Sequence, residues 1–224
     1  MLGTLTNLDN LLASLPEEIR ELGRQMREMD VGFRGMSDSL VVTAAMQNDN
    51  EHCRAVNGVF ALMFSTAAMV ATGFAAETPI RGGIDVGLGI DLEGDEVYGP
   101  ALARAYDLES GIADYPRVVL GRELLVFLNG VSKQEPRTVF GKSAQDMSTK
   151  CLELVTTDTD GLPMLDFLGE GRREIAGDDF DELVTKGSEF VRNSHERFTL
   201  EGDLKLASRY GRLRRYYESR SPGH

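Results

Sequence analysis

The chain is poor in the residues that build covalent or metal-held scaffolds. It has two cysteines, Cys53 and Cys151, and three histidines among 224 residues. Without a disulfide framework or a recognisable secretory signal, the two cysteines read most simply as buried thiols in a reducing cytosol. Cys53 falls in a segment that reads as helix and Cys151 in one that reads as strand. His52, His195 and His224 lie far apart, with no HxxxH or CxxC spacing, so the sequence carries no zinc signature. Positive charge is also short: 24 Lys plus Arg face 36 Asp plus Glu, a formal net charge of −12. That balance opposes general binding to nucleic acid or anionic membranes, which depends on basic patches. No internal repeat and no low-complexity run interrupts the chain.

What is present suits one ordinary domain with a full core: 42% of residues are apolar and 27% charged. The segment Val56–Ala76 carries no charge and has about the length of a membrane span. Asn57, Ser65, Thr66 and Thr72 interrupt it, and the flanks EHCR and ETPIR hold no basic cluster to orient a span. It therefore reads as a helix of about residues 50–72 buried against a sheet, without membrane insertion.

Around that helix the pattern alternates. Residues 4–29 read as helical, with Ser14 as N-cap, Pro16 in the first turn and Glu17 completing a capping box. Val31, Phe33 and Leu40–Val42 read as two strands joined at Ser37-Asp38-Ser39. Beyond Pro79 comes a strand, a turn at Glu93-Gly94-Asp95 and a second strand. Gly99-Pro100 opens a helix with Leu102, Ala105, Leu108 and Ile112 on one face. A strand over 115–120, a short helix over 123–128 and a loop over 130–150 follow. A hairpin turning at Asp160-Gly161 and two helices near 178–198 and 203–219 close the chain. Hairpins mixed with helices indicate an α+β fold with helices on a largely antiparallel sheet.

Two features draw attention as chemistry. Asp38 sits between two serines at a strand-pair tip, a tight-turn pattern that reads as functional if the glycine-rich pair at 81–99 lies beside it in one sheet. The stretch from Arg81 to Tyr106, RGGIDVGLGIDLEGDEVYGPALARAY, is rich in glycine within apparent strands, which marks a bulge or a close approach. Asp85, Asp91, Glu93, Asp95 and Glu96 read as an acidic hairpin edge, suited to blunting that edge or to binding metal. The last helix carries Lys205, Arg209, Arg212, Arg214, Arg215 and Arg220. It reads as packing Leu206, Leu213 and Tyr217 inward and pairing its charges with the acidic body.

In order, MSDSLVV, the long apolar helix, RGGIDVG, VYGPALARAYDLE and YPRVVL resemble a class III nucleotidyl cyclase catalytic domain. The nearest variety is the bacterial Pycsar type, which makes cyclic pyrimidine nucleotides. MLDFLG and KLASRYGRLRRYY add a weaker likeness in the tail. The resemblance implies a ferredoxin-like, mostly antiparallel twisted sheet flanked by helices, in a cytoplasmic homodimer. It implies a cyclase domain over 1–130 and an extension over 131–224 with a hairpin and two helices, packed on the same domain. The implied activity is that of a phosphorus–oxygen lyase converting a nucleoside triphosphate, UTP or CTP, to the 3′,5′-cyclic monophosphate. The product would be an antiphage second messenger read by a cyclic-nucleotide-responsive effector. Mg²⁺ or Mn²⁺ in a two-metal site is the implied cofactor, with Asp38 as catalytic metal ligand. The implied nucleotide contacts are Arg34, Ser37, Ser39, Arg81, Gly83, Gly87, Gly99 and Arg104.

The sequence departs from that pattern in three places. The family's first strand, with its Asp-x-x-Gly-Phe motif and second metal aspartate, is not found before the helix of 4–29. The chain then reads either as shortened or as a natural non-catalytic relative, a nucleotide-sensing or protein-interaction module. Purine cyclases carry Asn and Arg where this chain has Ala103 and Asp107. Where they have a base-reading lysine, the nearest basic residue is Arg34.

Overall fold

The computed structural model describes residues 31–36, 39–46, 55–92, 96–176 and 180–220. In chain order the elements are β1 (Val31–Met36), β2 (Ser39–Ala44), α1 (Ala55–Ala75), β3 (Gly82–Ile84), β4 (Ile90–Leu92), β5 (Glu96–Tyr98) and α2 (Pro100–Asp107). A π-helical turn over Leu108–Ile112 leads to β6 (Val118–Leu120), α3 (Arg122–Lys133), α4 (Val139–Glu153), β7 (Val155–Thr157) and β8 (Pro163–Leu165). The described chain ends with α5 (Glu170–Ala176), α6 (Phe180–Glu201) and α7 (Leu204–Arg220). The architecture is α+β. The expected helix within 4–29 and the site of Cys53 lie outside the described residues.

The main sheet is mixed and small, in the order β3-β6-β8-β7. β3 runs parallel to β6, and the other two pairings are antiparallel. Among the described residues β1 and β2 pair only with each other, as do β4 and β5. This corrects the expectation that the Asp38 hairpin and the glycine-rich stretch share one sheet. It also corrects the strand limits, because β3 stops at Ile84 and the hairpin proper begins at Ile90. The described hydrogen-bonding edge of β3 goes to β6, and the three-residue strands leave short ladders.

α1 carries no acid in its first turn and no base in its last. Compensating a helix dipole is worth only about 0.3–1 kcal/mol at each end. Burying a large apolar side chain is worth about 1.5–3 kcal/mol, and Phe60, Met63, Val70 and Phe74 are all essentially inaccessible. Packing therefore holds this helix. By length and hydropathy it could cross a membrane, yet 56% of its most apolar window is buried inside the protein. Phe74 stacks on Phe167 at 5.5 Å and meets the edge of Tyr217 at 5.8 Å, tying α1 to the end of the main sheet and to α7. The buried cluster draws on residues both before and after position 130.

The region expected as a loop over 130–150 is instead the end of α3 and most of α4. Pro136 lies before the helix rather than inside it. The Thr138 side chain accepts from the Gly141 N–H at 3.0 Å, a regular N-cap. The buried Ser148 hydroxyl donates to the Leu128 carbonyl at 2.7 Å, fastening α4 to α3. Cys151 accordingly ends a helix rather than starting a strand, and burial pushes its thiol up to about 12.

The hairpin expected at Asp160-Gly161 is present, with Gly161 at φ +83. Its turn is anchored by Arg117, whose side chain is 2% exposed. The guanidinium donates to Asp158, to Asp160 Oδ2 at 2.6 Å and to the Ile112 carbonyl at 3.2 Å. Tyr115 donates its hydroxyl to the same Asp158, and its ring lies 4.7 Å from the guanidinium. The hydrogen bond from Arg117 holds the Asp160 carboxyl below its ordinary value, and a bond from Arg209 at 2.6 Å does the same for Asp114.

A carboxyl depressed in the folded state stabilises the fold above its unfolded value of about 4 and loses that contribution as the pH falls through the folded value. Unfolding free energy measured by urea titration should therefore fall steadily below about pH 4. Arg117→Met should lose about 3–5 kcal/mol at neutral pH, since it strands two acids, and should show a shallower acid dependence. An unchanged acid slope in that variant would remove Arg117 as the cause.

Candidate functional site

The glycine-rich stretch folds around α2. Gly99 precedes the helix at φ +144, a region that L side chains rarely adopt, and Pro100 follows at the first helical position. A Cβ at Gly99 would stand 2.5 Å from the Leu88 carbonyl oxygen and 2.9 Å from Gly89 Cα. From there α2 and the π turn lie directly on β3. A Cβ on Gly83 would collide with the Ala105 carbonyl oxygen and sit 2.6 Å from Leu108 Cβ.

That approach brings Arg104 across Gly87 to the end of β3. Its Nε donates to Asp85 Oδ2 at 2.6 Å, and its Nη2 donates to the Val86 carbonyl at 2.7 Å. The Asp85 side chain is only 2% exposed. Its other oxygen, Oδ1, accepts from the Leu124 N–H in the first turn of α3 at 2.9 Å. The N-cap of α3 is Gly121, which has no side chain to offer, so Asp85 caps the helix from another element. A Cβ at Gly121 would lie 2.5 Å from Asp85 Oδ1, so the cap position must stay bare. Asp85 was expected on an acidic hairpin edge; it is buried before the hairpin begins.

The structure thus brings Gly83, Gly87, Gly99 and Arg104 together. Arg81 joins them through Glu109 of the π turn, its Nε donating to Oε1 at 2.7 Å. Arg34 and Ser39 do not join them. Both stand on the separate β1–β2 hairpin, which packs on α1. Arg34 Nη1 donates to Thr43 Oγ1 at 3.2 Å, a diagonal cross-strand contact, and Ser39 pairs with Met36. Ser37 and Asp38 lie outside the described residues. Ala103 and Asp107, one turn apart, both face solvent, whereas Arg104 turns inward.

Among the described residues no three His, Cys, Asp or Glu side chains converge as a metal site. Asp85 is not available as a ligand or base while it holds Arg104 and the Leu124 N–H.

Sequence reasoning missed a second buried acid. Asp166, 6% exposed, accepts from the Tyr216 hydroxyl at 2.7 Å and from Arg220 Nη2 at 2.6 Å. Tyr216 in turn accepts from the Leu168 N–H at 3.0 Å, and burial beside Asp166 raises its phenol well above the ordinary value. This cluster seats α7 on the sheet. The expected inward packing of that helix holds for Leu213 and Tyr217, which are buried, and Leu206 is half-buried. Arg209 and Arg220 pair with acids of the body, while Arg214 pairs with Glu218 of its own helix. Between the π turn and α3, an open groove of about 440 Å³ is lined by Leu108, Ile112, Val119, Arg122, Leu125 and Pro163 among others.

Comparison with protein-family models, with curated proteins and with solved structures found no match for this chain.

Gly82 and Gly83 separate packing from ligand approach. A Cβ on Gly82 would meet only Val118 at 3.5 Å, an ordinary contact. Gly82→Ala should leave stability within about 0.5 kcal/mol, whereas Gly83→Ala should cost about 1–3 kcal/mol by forcing α2 off the strand. Chemical denaturation of the two variants reads this directly. Equal stabilities would mean that α2 does not press on β3.

Proposed function

We propose that the protein is a nucleotidyl cyclase-like protein that takes a nucleoside triphosphate, UTP or CTP, as its substrate. The observation that carries the reading is the hairpin register. Met36 pairs with Ser39, which leaves only residues 37 and 38 between β1 and β2. The reading needs its metal-holding aspartate, Asp38, in such a two-residue connection. The order of hairpin, buried helix, glycine strand, capped helix and strand supports it further.

The finer fold in this reading is the ferredoxin-like sheet of class III cyclases. Two features support it. β3 is an edge strand among the described residues, and β1–β2 stands apart as a sheet of its own. One further strand between them would join the pieces into that sheet. A divalent ion, Mg²⁺ or Mn²⁺, would activate the ribose 3′ oxygen and stabilise the departing pyrophosphate. Asp38 is the one ligand the sequence names for it. Cytoplasmic homodimers and an antiphage role through a cyclic-nucleotide effector belong to the same reading.

A second reading is a non-catalytic nucleotide-sensing or interaction module with this fold. It is favoured by the pairing of Arg81 with Glu109 and of Arg104 with Asp85, which occupies two of the cations expected for phosphate.

Purified chain incubated with UTP, CTP, ATP or GTP and Mn²⁺ decides between them, with binding read by calorimetry and cyclic product by mass spectrometry. A pyrimidine triphosphate should bind, with weak cyclic product, and Asp38→Ala should abolish the product. Binding without any product would favour the sensing module. No binding of any of the four would end both nucleotide readings.

A further inference from the structure

Arg172, in α5, enters the protein interior with 6% of its surface exposed. Its guanidinium carbon lies 4.5 Å from the centre of the Phe64 ring of α1 and 5.4 Å from that of Phe180 of α6. Nε and Nη1 are both shielded from solvent, and neither has a hydrogen-bond acceptor among the described residues. Three other inward-turned arginines end on acids: Arg117 on Asp158 and Asp160, Arg104 on Asp85, Arg220 on Asp166. Arg173, next in the chain, donates to Asp181 Oδ1 at 2.8 Å. Arg172 is the exception among them.

Burial pushes the Arg172 guanidinium down to about 10, so it keeps its charge at neutral pH. A buried cation without an acceptor costs far more than two aromatic faces return. Two donors held against packed rings and met by no acceptor among the described residues form a preorganised half of an ion pair. A neutral acceptor would satisfy the hydrogen bonds but leave the charge unpaired, so an oxyanion completes the site better.

We propose that Arg172 is the binding group of an oxyanion subsite at the junction of α1, α5 and α6, which takes phosphate or the phosphate group of a small molecule. The subsite stands on Arg172 and its two rings alone and is independent of the nucleotide reading.

The test uses the full chain and inorganic phosphate, against sodium chloride of equal ionic strength. Wild-type protein should show saturable phosphate binding. Its melting temperature should rise by about 5–10 °C at a hundredfold excess over the dissociation constant. R172M, which removes the charge and keeps the packing, should melt no lower than wild type without phosphate and should not respond to it. R172K should respond more weakly than wild type. A wild-type response no larger than that to chloride overturns the proposal, whether or not R172M folds, and so does an equal response in R172M. A double variant Asp178→Asn/Asp179→Asn that gains a phosphate response absent from wild type would assign the guanidinium to the chain's own acids and overturn it too.

Discussion

One carboxylate organises the part of the molecule richest in sequence signals. Asp85, nearly inaccessible, holds Arg104 of α2 with one oxygen and the first turn of α3 with the other. Three elements that share no strand ladder are joined at that side chain: the end of β3, the helix that lies on it, and the helix that follows β6. The joint places demands on the surrounding sequence. Gly121 must lack a side chain to admit Asp85, Gly83 must lack one to admit α2, and Gly99 must turn the chain toward Arg104's helix.

The same economy recurs elsewhere. Arg117 fixes the β7–β8 turn to β6 through Asp158 and Asp160, and Asp166 seats α7 through Tyr216 and Arg220. In a chain with so small a main sheet, such charged anchors set where helices land, while α1 supplies the apolar core they surround. A buried pair of this kind contributes little net stability against a well-packed apolar replacement, but losing one partner is costly. The anchors therefore specify arrangement more than they add stability. For function, they mean that cations expected at a phosphate are in part already engaged. The nucleotide reading consequently rests most heavily on the β1–β2 hairpin and on Asp38.

The long apolar helix, the β1–β2 hairpin, the helix opened by Gly99-Pro100 and the two closing helices were legible because periodicity and turn chemistry are local. The helix over 139–153 was not, because Pro136 and Gly141 suggested a break while the decisive signal was the single capping residue Thr138. The sheet partition was also hidden. Pairing of β3 with β6 joins segments some thirty-five residues apart, and no spacing rule encodes it. Asp85 illustrates the limit for the site. Within a run of acids it looked like edge charge, and only the approach of α2 and α3 shows it to be a buried anchor. The glycines correctly signalled close approach, but the visitor the structure brings to Gly83 and Gly87 is the protein's own helix and its arginine.

The joint at Asp85 is tested most directly by a double-mutant cycle between Asp85→Asn and Arg104→Gln, with unfolding free energies measured in urea. Arg104 is 38% exposed, so solvent screens part of the interaction. A coupling of about 1–2 kcal/mol is expected from two charges in direct contact. Additive losses, with a coupling indistinguishable from zero, would show that the carboxylate does not hold α2 in place.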